Sequence, residues 1–102
     1  MSLILATALA VEPALLERAD ALNEAYVSCL FEVARESQEA DMPIDQFARL
    51  VNHSCLAERD ALQQVSIEIQ MRRGATRAEA EAEWARIDVI GRRSVIQAYW
   101  NG

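Results

Sequence analysis

Cys29 and Cys55 are the residues whose chemistry the sequence constrains most closely. The break between the first two helical stretches centres on residue 42, and 42 − 29 and 55 − 42 are both 13. In an antiparallel helical hairpin, equal distances from the turn put two residues at one height, here about 20 Å from it. Both cysteines also lie on apolar stripes that face each other. A disulfide is therefore expected, closing a loop worth roughly 3.5 kcal/mol in the chain-entropy model. The alternative is two reduced thiols serving as small core hydrophobes. There is no Cys-x-x-Cys, and neither thiol clearly begins a helix, where its pKa would fall, so a redox-active pair is not expected.

Other chemistry-bearing groups are sparse. His53, the single histidine, precedes Ser54 and Cys55, which resembles a base beside a nucleophile. Residues two apart on a helix point about 200° apart, so His53 is not expected to serve Cys55. A zinc centre needs about four ligands, more than one His and two separated Cys supply. A carboxylate-bridged metal pair needs Glu-x-x-His, and Leu50 stands three before His53. The chain has neither a phosphate-binding Gly-rich loop nor a Gly-x-Ser-x-Gly elbow. No enzyme activity, metal or cofactor is expected.

Arg72, Arg73 and Arg77 gather around a turn, with Arg92 and Arg93 further on. Such arginines can hold phosphate or a carboxylate partner, or they can compensate helix dipoles and pair with Glu. Tyr99-Trp100 ends the chain's aromatic content. It reads either as a plug folded back on the core or as an exposed partner contact.

The elements positioning these groups are helical throughout. Leu15, Ala19, Leu22, Tyr26, Cys29 and Val33 recur at spacings of 3 and 4 after Pro13, which suits a first helical turn. Asp41-Met42-Pro43 ends that stretch, with Asp41 expected to cap the next helix. Ile44, Phe47, Val51, Cys55, Leu62, Val65 and Ile69 form a second stripe, interrupted by Glu58, which is expected at the stripe's edge or held by an Arg. Gly74 ends this helix. Thr76-Arg77-Ala78-Glu79 matches a capping box. A third helix then carries Ala80, Trp84, Ile87, Gly91, Val95 and Ala98 on one face, with a close helix crossing as the expected reason for Gly91. The expected fold is all-α: a three-helix antiparallel bundle, or a hairpin with a third helix packed back. The loops of about 2–4 residues make neighbouring helices antiparallel.

The chain has 102 residues and a net charge of −6, with 52% hydrophobic residues and no Lys. That fits one small domain and argues against a disordered tail or non-specific nucleic-acid binding. The charge is uneven. Through Asp45, nine acids face two Arg, a balance of −7; beyond it, seven acids face eight Arg, a balance of +1. An acidic first helix can steer a basic partner or simply be a solvated face. Residues 1–10 are uncharged and apolar-rich, and Ala8-Leu9-Ala10 has the small residues of a signal-peptidase site. This segment is expected to be an export signal without its usual positive start, or a frayed apolar N-terminus. It is too short to span a membrane.

The plan is similar to that of small exported helical proteins with one inter-helix disulfide, an architecture that hosts many functions. Residues 11–102 are expected to form a periplasmic or secreted protein-binding or accessory module. The alternative is a cytoplasmic adaptor or oligomerisation module with two reduced cysteines. A protein partner is expected in either case, and homo-oligomerisation is one form it can take.

Overall fold

The computed structural model describes residues 11–102, and the 1–10 segment read above as an export signal lies outside them. Four helices occupy almost all of this span: α1 (Pro13–Glu39), α2 (Ile44–Asn52), α3 (Leu56–Arg72) and α4 (Arg77–Asn101). No strand occurs among the described residues. The fold is the expected helical bundle, with four helices rather than three because the stretch 44–72 is broken.

The break lies at His53–Cys55. The backbone N–H of His53 donates to the Leu50 carbonyl and that of Ser54 to Val51, at 3.0 and 3.3 Å, which tightens the last turn of α2. The Ser54 hydroxyl also donates to the Leu50 carbonyl, at 2.7 Å. Cys55 then adopts a left-handed conformation (φ 58°) and its carbonyl accepts the first bond of α3, from Arg59 N–H at 2.9 Å. Asn52, His53 and Ser54 are all weak helix formers, which makes this an inexpensive place to interrupt a helix. Phe47 and Val51 before the break, and Leu62, Val65 and Ile69 after it, all remain buried. The expected stripe therefore holds even though the helix does not.

Both other turns are Schellman closures. After α1, Met42 N–H donates to Ser37 and Asp41 N–H to Gln38, at 2.9 and 3.1 Å, with Asp41 left-handed at φ 52°. Asp41 thus ends the first helix rather than capping the second, whose N-cap is Pro43. After α3, Ala75 N–H donates to Gln70 and Gly74 N–H to Met71, with Gly74 at φ 101°. The capping box of α4 is formed as expected: Glu79 N–H donates to Thr76 Oγ1 at 3.1 Å, and Thr76 N–H to the Glu79 carboxylate at 2.8 Å. That donation holds the Glu79 carboxyl below its ordinary value.

The registry between helices is simple. Cys29 is joined to Cys55 with 6.0 Å between their Cα atoms, and Arg72 reaches Glu12 at 3.5 Å. Both pairs are equidistant from residue 42, by 13 and by 30 positions respectively. One antiparallel registry therefore runs the length of the α1–α3 pair. Helix α4 runs parallel to α1 instead: Tyr26 meets Asp88 and Ser37 meets Tyr99, each pair separated by 62 positions.

The core contains Tyr26 and Leu30 of α1, Phe47 and Val51 of α2, Leu62, Val65, Ile67 and Ile69 of α3, and Ala80 and Trp84 of α4. The α4 face differs from expectation. Its buried line runs through Ala80, Trp84 and Asp88, then the partly buried Arg92, Val95 and Tyr99. Ile87 and Ile90 are instead 48% and 50% exposed. Among the described residues no helix crosses at Gly91, where an added Cβ would meet nothing within 4 Å.

The crosslink should account for a large part of the stability of so small a core. Cys29→Ser and Cys55→Ser should each lower unfolding free energy by about 3.5 kcal/mol, the loop-closure value. Because both remove the same bond, the double variant should lose no more than either single one. Chemical denaturation of all three variants checks this, and additive losses would contradict it.

Candidate functional site

The structure concentrates its polar chemistry halfway along the bundle, where all four helices contribute. Asp88 of α4 is buried, with only 8% of its surface exposed. Its Oδ1 accepts a hydrogen bond from the Tyr26 hydroxyl of α1 at 2.9 Å. Its Oδ2 accepts from Arg92 Nε, one turn along α4, at 3.2 Å, and lies 3.9 Å from a terminal guanidinium nitrogen of Arg59 on α3. Arg92 also donates to the Asn52 side-chain oxygen at the end of α2. A carboxylate removed from water requires such partners, and both of its oxygens have them. Among the described residues no buried side-chain polar atom lacks a hydrogen bond.

This environment acts on Tyr26. Burial raises its pKa well above the ordinary tyrosine value, and the hydrogen bond to Asp88 and that group's charge raise it further. Arg59 and Arg92 oppose this only in part. Tyr26 is thus held protonated as a donor. With Asp88 hydrogen-bonded by Tyr26 and Arg92 and faced by the Arg59 guanidinium, the cluster is closed upon itself.

The cystine lies one turn from this cluster. Cys29 follows Tyr26 by three residues on α1, and Cys55 precedes Arg59 by four at the head of α3. Cys55 therefore sits at a helix N-terminus after all, a consequence of the break that continuous periodicity hid. Glu58 is half-buried beside the cystine, with a carboxylate oxygen and both sulfurs within 4.8 Å of one another. It makes no ion pair among the described residues, so it is not held by an Arg, the second of the two expected arrangements.

The remaining sequence candidates are dispersed. His53 is the exposed C-cap of α2 and Ser54 is bonded to Leu50, so no base–nucleophile pair forms with Cys55. Arg72 is shared between Glu68 at 2.9 Å and Glu12, while Arg73 and Arg77 are exposed at the α3–α4 turn. Tyr99 and Trp100 have opposite fates. Tyr99 stacks on fully buried Phe47, with centroids 3.9 Å apart and planes at 11°, and its hydroxyl donates to the Met42 carbonyl. Trp100 is 67% exposed.

Sequence reasoning missed Asp88, and named Arg92 only among arginines able to hold a phosphate or carboxylate partner. The available signal was their spacing: Ala80, Trp84, Asp88, Arg92, Val95 and Tyr99 keep helical periodicity, and Tyr26 supplies a hydroxyl on the facing stripe. No protein family, curated protein or solved structure matches the chain.

Two outcomes test the assignment of these side chains. A group whose folded pKa is raised leaves stability intact below its unfolded value, about 10 for Tyr, and loses it above. Stability should therefore decline with pH beyond about 10, and Tyr26→Phe should remove that part of the decline. The same variant should cost about 1–2 kcal/mol at neutral pH by stripping Asp88 of a donor. Denaturation curves across the alkaline range measure both effects. At the far end of the bundle, Tyr99→Ala should cost about 3 kcal/mol and Trp100→Ala within about 0.5 kcal/mol of nothing, again read by denaturation.

Proposed function

We propose that this chain is a small exported, non-enzymatic helical module that binds another protein in the periplasm or outside the cell. The observation that carries the reading is the Cys29–Cys55 pair at bonding distance, joining α1 to the head of α3. Such crosslinks persist in oxidising compartments and are uncommon in small cytosolic domains. None of the helices among the described residues is long and apolar enough to cross a membrane.

The distribution of side chains supports binding rather than catalysis. The central ionisable cluster spends its hydrogen bonds on its own members. Large apolar groups instead face outward: Phe31 is 55% exposed at the rim of the α1–α4 groove formed with Ala34, Val95 and Ala98, and Trp100 stands free near the end of α4. Aromatic side chains with exposed faces are favoured protein-contact groups. The acidic surface of α1 would steer a basic partner towards this side.

Intact mass measured on protein from native cells tests the export reading. The expected result is loss of residues up to about Ala8–Ala10 and a two-hydrogen deficit that reductant removes. A full-length chain with both thiols open to alkylation would overturn it. For binding, a Trp100→Ala/Phe31→Ala variant should keep the parent's stability and lose the protein co-purified with the wild type. Retention of that protein by the variant would overturn the surface assignment.

A further inference from the structure

We propose that the Cys29–Cys55–Glu58 cluster is a redox-gated site for a zinc-type divalent ion, closed while the cysteines are joined and opened by a dithiol reductant. Three observations lead to it. The two Sγ atoms and a Glu58 carboxylate oxygen all lie within 4.8 Å of one another. In a tetrahedral zinc shell with Zn–S near 2.3 Å, neighbouring donors stand roughly 3.3–3.8 Å apart, so the sulfurs must part and the carboxylate oxygen need close by no more than about 1.5 Å to share one ion. Glu58 is a half-buried acid on an otherwise apolar stripe with no ion-pair partner among the described residues, while the adjacent Arg59 is turned towards Asp88. Finally, Cys29, Cys55 and Glu58 are all only half-buried, so a dithiol and an ion can reach them.

Two thiolates and one carboxylate are a donor set suited to zinc and similar borderline ions, with a fourth position left for water. A cystine sulfur is not such a ligand, which is what gates the site. The dithiol attacks one cystine sulfur, forms a mixed disulfide, and leaves as its own cyclic disulfide. Two electrons pass to the Cys29–Cys55 pair, the S–S bond breaks, and each sulfur takes one proton. Binding of the ion then forms two metal–sulfur bonds and releases those two protons to solvent. Glu58 adds a carboxylate oxygen as the third protein ligand. The two sulfurs separate to about 3.8 Å in the process. The α1–α3 registry need not change, because Arg59 facing Asp88 and Arg72 reaching Glu12 still hold α3 on either side of the cystine.

Cobalt(II), added to full-length protein reduced by a dithiol and desalted without air, is the probe. The expected result is one equivalent bound, with thiolate-to-cobalt charge-transfer absorption and the visible bands of a tetrahedral ion. The oxidised chain should show neither. Glu58→Ala should weaken binding by at least about tenfold, and Glu58→Asp should recover part of it. Circular dichroism is recorded on the same samples. Three results would overturn the site: no charge-transfer band in the reduced chain, equal affinity in wild type and Glu58→Ala, or a reduced chain that binds cobalt without regaining the helical signal of the oxidised one.

Discussion

The Asp88 carboxylate is the point on which the arrangement of helices depends. It belongs to α4, accepts a hydrogen bond from α1 through Tyr26, faces α3 through Arg59, and reaches α2 through Arg92 and Asn52. Each partner is needed for the others to be tolerable. A buried carboxylate without donors would incur a desolvation penalty of several kcal/mol, and Tyr26 without an acceptor would leave a buried hydroxyl unpaired. Arg59 and Arg92 keep 25% and 19% of their side chains exposed, so their cationic heads are only partly desolvated. The cluster therefore places one well-satisfied anion inside and leaves its counter-charges at the boundary, an inexpensive way to bury a charge.

From this point the geometry extends in both directions along the bundle. Eleven residues beyond Tyr26 and Asp88, three helical turns on, Ser37 and Tyr99 repeat the 62-residue offset between α1 and α4. There the Tyr99 ring closes over Phe47, and its hydroxyl fastens the α1–α2 turn. One turn from the cluster the cystine joins α1 to α3, and further out Glu12 and Arg72 keep the same antiparallel registry. The interruption at His53–Cys55 serves this plan. It brings the Asn52 side chain to Arg92 at the end of one helix and lets Cys55 start the next facing Cys29.

What could be read from the sequence was whatever leaves an apolar or capping signature. The stripes of the first helix and of residues 44–69, the capping box at Thr76 and the left-handed Gly74 all leave one. Cysteine pairing was legible because it depends only on distance from a turn, and the helix break does not alter that distance appreciably. The break left only the weak helix formers Asn52, His53 and Ser54 and no trace in the apolar pattern: buried positions on its two sides, Val51 and Leu62, are eleven residues apart and would also be in phase on an unbroken helix. The face of α4 was misread for a chemical reason. Apolar periodicity selects Ile87 and Gly91 over Asp88 and Arg92, whereas the interior at that level is polar and accepts the charged pair. Glu58 raised the same difficulty, since an acid in an apolar stripe suggests an edge position or an Arg partner until both cysteines are seen beside it.

The polar cluster also bears on why the chain folds in one registry. The sequence contains 18 Ala, and stripes rich in Ala present nearly the same shallow surface at each turn. Dispersion between such faces discriminates weakly between a helix in place and one slipped by a turn. A slip of α4 by one turn would carry Asp88 about 6 Å along the bundle, away from Tyr26 and Arg59. The carboxylate would then be buried without its inter-helix donors, while the apolar contacts would be only modestly changed. Well-packed hydrophobic residues could hold the helices together as tightly as this cluster does. They would not penalise the slipped arrangement in the same way, because one apolar neighbour substitutes readily for another and an absent hydrogen-bond donor has no substitute. The Asp88 cluster thus selects the parallel α1–α4 registry, and the crosslink one turn away then fixes α3 against α1 at the same height.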